Sequence, residues 1–279
     1  MCIRDSDSPD EENAYFINGI MDEVLNNLQK INDLRVLSRT STDQYRGVAR
    51  PTIPEISKKL GVNYIVEGSG QKYGNKFVLR VQLLEGSEDR HLWAESYEQE
   101  IDGVEDIIRI QSRIAKAIAE ELHAIITPAE NKLIEKTPTV NLTAYDFYRR
   151  GREEYSKYTS DNREALKKAE YMYNQALNYD SAFALAYIGL AEVYWDRHYW
   201  TEYFAENFLD SVLILADIAL SYDDNLSDAY SLRGHYYRQT GNREQALKDY
   251  NEAIKLNPND WQAYWGLSLI HISEPTRPY

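Results

Sequence analysis

The residues from Ser227 to Asp260 constrain this chain more than any other stretch. Tyr230, Gly234 and Tyr237 fall on one face of a helix, and Gly241-Asn242 interrupts it. Ala246, Tyr250 and Ala253 share one face of a second helix, which Pro258 ends. Small residues stand where the two helices must approach, and large aromatics stand beside them. The phase recurs. Ala176-Leu177, Ala219-Leu220 and Ala253-Ile254 close three second helices, and an aromatic opens the next first helix eleven residues after each Ala: Tyr187, Tyr230 and Tyr264. Ala219 and Ala253 are 34 residues apart, whereas Ala176 and Ala219 are 43 apart. The surplus falls between Ala191 and Val212, which predicts an insert at the helix-helix turn around His198 to Phe208. The first pair, from Gly151 to Ala169, is looser. Helix pairs of this kind cannot bury their apolar faces alone, so they stack.

The period, the Gly and Ala positions and the terminal Pro resemble the tetratricopeptide repeat (TPR). The resemblance implies an all-α superhelix from Asn141 to Gly266 whose first helices line a concave groove. On the non-packing side of those helices lie Tyr148, Arg152 and Tyr155, then Ile188, Glu192 and Trp195, then Ser231, His235 and Arg238. Rigid aromatics mixed with Arg are the composition of interface anchors. Tyr148, Arg152, Tyr155, Glu192, Trp195, His235 and Arg238 are therefore the candidate partner-binding residues for a protein or peptide segment. Of the 23 Tyr, 18 follow Asn141, and most read as core; Tyr187, Tyr230, Tyr237 and Tyr250 hold packing positions. The aromatic insert HYWTEYFAENF is a second candidate contact, with a local cap over the repeat edge as the plainer reading.

Helix and strand signals alternate before Thr127, which predicts an α/β domain. Ser8-Pro9-Asp10-Glu11 reads as a helix start, followed by apolar residues at helical spacing through Ile31. Leu34 to Ser38 alternates as a short strand, and Thr40 to Pro51 reads as loop. Thr52 to Leu60 reads as a helix capped by Gly61. Strands are expected at Val62–Gly70, Phe77–Leu84 and His91–Gln99. A long helix is expected over Val104–Ile126, burying Ile107, Ile110, Ile114, Ile118, Leu122 and Ile125. Thr127 to Val140, with Pro128 and Pro138, reads as a linker.

The segments NAYFINGIMDEVLNNL, LRVLSRTS, LGVNYIVEGS, VLRVQLL, HLWAESYEQEI and VEDIIRIQSRIAKAI, in that order, resemble the TolB-like N-terminal domain. The resemblance covers residues 7–126 and implies a bacterial regulatory protein, because that domain recurs ahead of TPR arrays. It also implies a first apolar strand, for which this sequence offers only MCIRDS, so the sheet is expected to lack that strand and keep an unpaired position. Gly70 stands where the family carries an apolar residue and is expected to weaken its strand. Residues 1–6 and 267–279 both resemble one translated sequencing adapter, read in opposite directions, and are expected to be artefact. Cys2 is then the single cysteine of the sequence and lies inside that segment, leaving no basis for disulfides or thiol catalysis.

Formal charge is −14, shared by both halves, which disfavours a nucleic-acid surface. No run approaches the length of a membrane-spanning helix. The segment Pro54–Val62 resembles the first helix of a helix-turn-helix, but strand-like Asn63–Glu67 follows where a recognition helix is needed. Gly68-Ser-Gly70 to Gly74 runs strand to strand, so a bulge and hairpin are expected, not a phosphate loop. His91, His123, His198 and His235 are scattered, so no metal site is expected. Acid, base and nucleophile cannot be assembled, and neither catalytic residues nor a cofactor are expected. The expected function is a non-enzymatic interaction or regulatory module of a bacterial signalling or transcription-regulatory protein. The alternatives are the regulatory region of a fused nucleotide cyclase and an envelope-associated assembly protein.

Overall fold

The computed structural model describes residues 2–4, 11–37, 41, 42, 45, 51–199 and 208–272, and it divides into two compact units, residues 1–140 and 141–279.

The first unit is a sheet covered by helices. Strands β1 (Cys2–Arg4), β2 (Tyr64–Tyr73), β3 (Lys76–Glu85) and β4 (Arg90–Glu100) stand in that order. β1 runs parallel to β2, and the later pairs are antiparallel. The sheet position expected to be vacant is thus filled, in this structure, by Cys2–Arg4 against Val66–Gly68. Helices α1 (Glu11–Gln29) and α3 (Val104–Glu121) pack on each other, α1 against β2 and α3 against β4. Ile17, Ile20, Met21 and Val24 of α1 are buried with Phe77, Leu79, Val81 and Leu83 of β3. The alternation of β3 sends Leu84 the other way, into a smaller cluster with Ile56, Ile65 and Tyr45 under α2 (Ile53–Leu60).

Glycine in β2 has a purpose that the sequence reading missed. β2 pairs with β3 without a break, and the irregularity in the sheet lies at Leu83/Leu84 against β4 instead. A Cβ on Gly68 would meet Met21 Sδ at 2.5 Å, and one on Gly70 would meet the Val78 carbonyl at 2.7 Å and Ile17 Cδ1 at 3.1 Å. The bare backbone lets α1 lie close on the strand. The hairpin turn is at Gly74, with φ +60°.

Other boundaries shift. Residues 34–37 carry no strand, and Thr42 belongs to a short helical turn. Ser8–Asp10, the expected helix start, lie outside the described residues. α3 stops at Glu121, five residues before the expected end: His123 takes a left-handed φ of 55° and the Ala124 N–H donates back to the Ala119 carbonyl at 2.9 Å. Ile125 is therefore 73% exposed rather than part of the buried stripe. Half of the expected linker is helix α4 (Pro128–Ile134). Thr127 and Glu130 cap it reciprocally, with Pro128 at its first position. Ser112 Oγ donates to the Ile134 carbonyl at 2.8 Å, Lys30 Nζ to the Leu133 carbonyl at 3.2 Å, and the Asn32 N–H to Glu130 Oε1 at 2.9 Å. Proline signalled a break, yet here it starts a helix docked on the first unit.

The second unit is all helix: α5 (Leu142–Ser156), α6 (Glu164–Tyr179), α7 (Ala184–His198), α8 (Leu209–Tyr222), α9 (Ser227–Gln239), α10 (Arg243–Leu256) and α11 (Trp261–Ile272). Hairpin partners are α5/α6, α7/α8 and α9/α10, and each second helix also packs on the next first helix. Ala169, Ala176, Ala191, Ala219, Ala246 and Ala253 are wholly buried where the helices meet. The repeat is exact at the chain reversals. The N–H groups of Asp180, Asp223 and Asn257 donate to the carbonyls of Ala176, Ala219 and Ala253 at 2.8–2.9 Å. Their side chains then accept from the N–H two residues on, at Ala182, Asn225 and Asn259. Residues 200–207 of the insert lie outside the described residues.

Two tyrosines act as wedges. Tyr173 on α6 fills the space left by Gly151 on α5 and Gly189 on α7, where an added Cβ would come within 2.5 Å of its ring. Tyr250 on α10 does the same between Gly234 on α9 and Gly266 on α11. Arg233 on α9 donates two hydrogen bonds at 2.8 Å to buried Asp249 on α10 and one at 2.9 Å to Asp217 on α8, joining three helices.

Candidate functional site

The first helices α5, α7, α9 and α11 are neighbours in space, each touching the next. Their side-chain pairings connect residues about one repeat apart. Arg152 Nη1 donates to Glu192 Oε2 at 2.5 Å, and Tyr155 Oη to Asp196 Oδ2 at 2.7 Å, so α5 and α7 are tied twice. Trp195 stacks on His235 with ring centroids 5.1 Å apart, joining α7 to α9. Arg238 lies over the Trp265 ring at 5.7 Å, and Ser231 Oγ donates to Asp260 Oδ2 at 2.7 Å, joining α9 to α11. The candidates from the three first helices do share one continuous face.

They do not share one role. Tyr148 and His235 are buried, at 6% and 2% exposure, as are Ile188 and Ser231. Tyr148 packs on Tyr173 and Phe183. His235 Nδ1 meets the Tyr250 hydroxyl at 2.7 Å, and burial pushes its pKa down to about 3, so the imidazole stays neutral. These residues are floor, not contact surface. The periodicity that put them on one face of the first helices could not tell how tightly adjacent first helices close over that row. Arg152, Tyr155, Glu192, Trp195 and Arg238 remain partly exposed.

The sequence reading missed the acidic members of the face. Asp196 follows Glu192 by one turn, Asp228 sits in the first turn of α9, and Asp260 caps α11 by accepting from the Ala263 N–H at 3.0 Å. Removal from water raises the Glu192 carboxyl to about 7, Asp196 to about 6 and Asp260 to about 6. Arg152 opposes the rise at Glu192, while the charge of Asp228 adds to it at both Glu192 and Asp260. The i, i+4 spacing of Glu192 and Asp196 is the sequence signal that places both carboxylates on one face of α7.

Elsewhere, α2 runs into β2, so no recognition helix follows it. Among the described residues no group of three or more His, Cys, Asp or Glu could hold a metal ion. No described helix is long and apolar enough to cross a membrane.

The family model of the tetratricopeptide repeat matches residues 227–260. Together with the recurring reversals and wedges, this makes the second unit a helical array of TPR repeats, a fold built for protein-protein interaction. Among curated proteins, a relative from Rhizobium meliloti (strain 1021) called putative adenylate cyclase 3 is 32% identical over 187 residues, 67% of this chain. That match is longer than either compact unit, so it includes residues of both. The chain spans 31% of that relative's length. Similar solved structures include the first TPR of Spaghetti (RPAP3) bound to the HSP90 peptide SRMEEVD, at 18% identity, 49% of this chain, 97% of that one and TM-score 0.39. Another is the Arabidopsis OM64 TPR domain, at 17% identity, 47% and 95% coverage and TM-score 0.39. A third is YrrB, a TPR protein with an unusual peptide-binding site, at 18% identity, 58% and 69% coverage and TM-score 0.35.

Proposed function

We propose that this chain is a non-enzymatic interaction module that holds an extended segment of a partner protein on the face of α5, α7, α9 and α11. The observation carrying this reading is the continuous, partly exposed row of Arg152, Tyr155, Glu192, Trp195 and Arg238, set on a rigid buried floor. Preorganised aromatic and Arg side chains bind at low entropic cost. The test is a titration with ligands selected from a random-sequence peptide library. Trp195→Ala and Arg238→Ala should each cost about 2 kcal/mol, roughly 30-fold in affinity. Unchanged affinity in both variants would overturn the assignment.

A second reading concerns the setting. The relative named as an adenylate cyclase matches across both units, which favours a regulatory region in a cyclase-linked protein over a transcription regulator or an envelope protein. On this reading the TolB-like α/β domain and the TPR array form the control half, and nucleotide chemistry lies in another domain of the parent protein. The chain alone, incubated with ATP and magnesium, should release no cyclic AMP above background. Measurable production would assign the catalysis to this region.

A further inference from the structure

β4 closes the sheet of the first unit on one side and is its longest strand, at 11 residues. The Ile101 N–H donates to the Asn75 carbonyl at 2.8 Å, in the register that sets Gln99 against Phe77, Tyr97 against Leu79 and Glu95 against Val81. Ladder bonds of an antiparallel pair fall on alternate residues. These odd-numbered residues therefore bond to β3, and Ala94, Ser96 and Glu98 turn their N–H and C=O groups out of the sheet. Among the described residues, none of those outward groups has a hydrogen-bond partner. Such a row is a template for another extended segment.

Edges that must stay unpaired are commonly blunted by lysine, proline or a bulge. β4 holds neither Lys nor Pro. Its irregularity, at Leu83/Leu84, lies beside His91 and leaves Trp93 to Glu100 regular. One side of this stretch lies under α3, with Tyr97 buried, Arg113 over its ring at 5.0 Å, and Glu95 paired with Arg113 at 2.5 Å. The other side carries Ala94, Ser96, Glu98 and Glu100, all exposed. Glu98 pairs with Lys76 of β3 and still keeps 61% of its side chain open. From Trp93 to Glu100 the strand has three carboxylates and no cation. Two copies of this chain paired edge to edge would crowd those carboxylates together, which disfavours a second copy. Complementary charge favours a segment with Lys or Arg at every second position.

We propose that β4 takes up an extended basic segment of a partner protein as an added strand, antiparallel to itself. The segment's main chain exchanges hydrogen bonds with Ala94, Ser96 and Glu98, and two of its cations, two residues apart, lie beside Glu98 and Glu100. Main-chain bonds supply the affinity, and the spacing of the cations sets the register. This surface belongs to the first unit and is independent of the groove reading above.

Fluorescence anisotropy on the full chain tests this with the labelled peptide Lys-Val-Lys-Val-Thr-Val-Thr-Val, whose first and third residues meet Glu100 and Glu98 in the proposed register. Methylating the main-chain nitrogens of its third and fifth residues, which face Glu98 and Ser96, should weaken binding roughly tenfold. Methylating those of the fourth and sixth residues, which face away, should change the affinity by less than about twofold. Replacing both lysines by Glu should abolish binding. Glu98→Gln combined with Glu100→Gln should weaken the basic peptide roughly three- to tenfold. Equal weakening by the two methylation patterns, or none by either, would overturn strand addition. Binding of the Glu peptide as tightly as the basic one, or no binding of the basic one, would overturn the proposal. A dimer in sedimentation that the basic peptide dissociates would place a second copy on β4 and overturn the choice of occupant.

Discussion

Arg152 and Glu192 stand about one repeat apart in sequence and 2.5 Å apart in space, so an ion pair fixes α5 against α7 on the face that the first helices share. Tyr155 and Asp196 repeat the tie one turn further along. These contacts hold the surface residues in a set geometry and place charge where water is scarce.

Arg152→Ala should therefore destabilise the helical unit by roughly 1–2 kcal/mol. That lies between the small value of exposed pairs and the 3–5 kcal/mol of fully buried ones, because Arg152 is a third open to solvent. Arg152→Ala with Glu192→Gln should recover part of the loss, since no carboxylate is then stranded. Urea denaturation of the two single variants and the double variant gives the interaction energy directly.

Between pH 5 and 8 two sets of groups act on stability in opposite directions: His235, held neutral with a folded pKa of about 3, adds stability as pH rises, and three raised carboxyls remove it. Glu192, Asp196 and Asp260 have folded pKa values of about 7, 6 and 6, raised from 4.5 for Glu and 3.8 for Asp. A carboxyl with a raised folded pKa holds its proton more tightly in the folded chain. Its contribution is full below the unfolded value and is lost as pH passes through the folded one. Carboxyls with lowered values, such as Glu135 and Glu244, titrate below this window. Glu192→Gln removes one of the opposing carboxyls, so the change in melting temperature from pH 5 to pH 8 should be more positive in the variant than in the parent chain by roughly 3–6 °C. The same pH dependence in the variant and the parent chain would contradict the burial of Glu192.

Gly234→Ala poses two opposed effects. Alanine in a helix interior gains about 1 kcal/mol over glycine. Its Cβ would meet Tyr250 Cε1 at 2.6 Å, and overpacking a wedged ring costs about 1–3 kcal/mol. The net expectation is a loss of up to about 2 kcal/mol, read from chemical denaturation followed by far-ultraviolet circular dichroism.

Gly70→Val separates the family-based expectation from the structure. An apolar residue there should strengthen β2 if strand propensity governs. Because the new Cβ would approach the Val78 carbonyl at 2.7 Å, we expect roughly 1–3 kcal/mol of destabilisation instead. A gain in melting temperature would show that α1 yields more readily than this packing implies.

Much of the helical unit was legible from periodicity. The Ala and Tyr spacing located helix pairs whose reversals at Asp180, Asp223 and Asn257 keep the same phase. In the first unit, β2, β3, β4 and α2 were legible from alternation and from Gly61, which caps α2 with φ +62°. The early end of α3 was not, since His123 took a left-handed turn usually given to glycine or asparagine. Nor was the docking of α4, whose anchors Lys30, Asn32 and Ser112 are distant in sequence.

The candidate site divides in the same way. Sequence alone decided which residues share one face of the first helices, because a helix with a fixed number of residues per turn assigns its faces from spacing. Only the packed structure decided which of them are floor and which are surface. It buried Tyr148 and His235, left Trp195 and Arg238 partly open, and brought Asp228 into one field with Glu192 and Asp260. The physical reason is that burial and pKa depend on how closely neighbouring helices approach. That distance is set jointly by the Gly151, Gly189, Gly234 and Gly266 gaps and the rings of Tyr173 and Tyr250 that fill them.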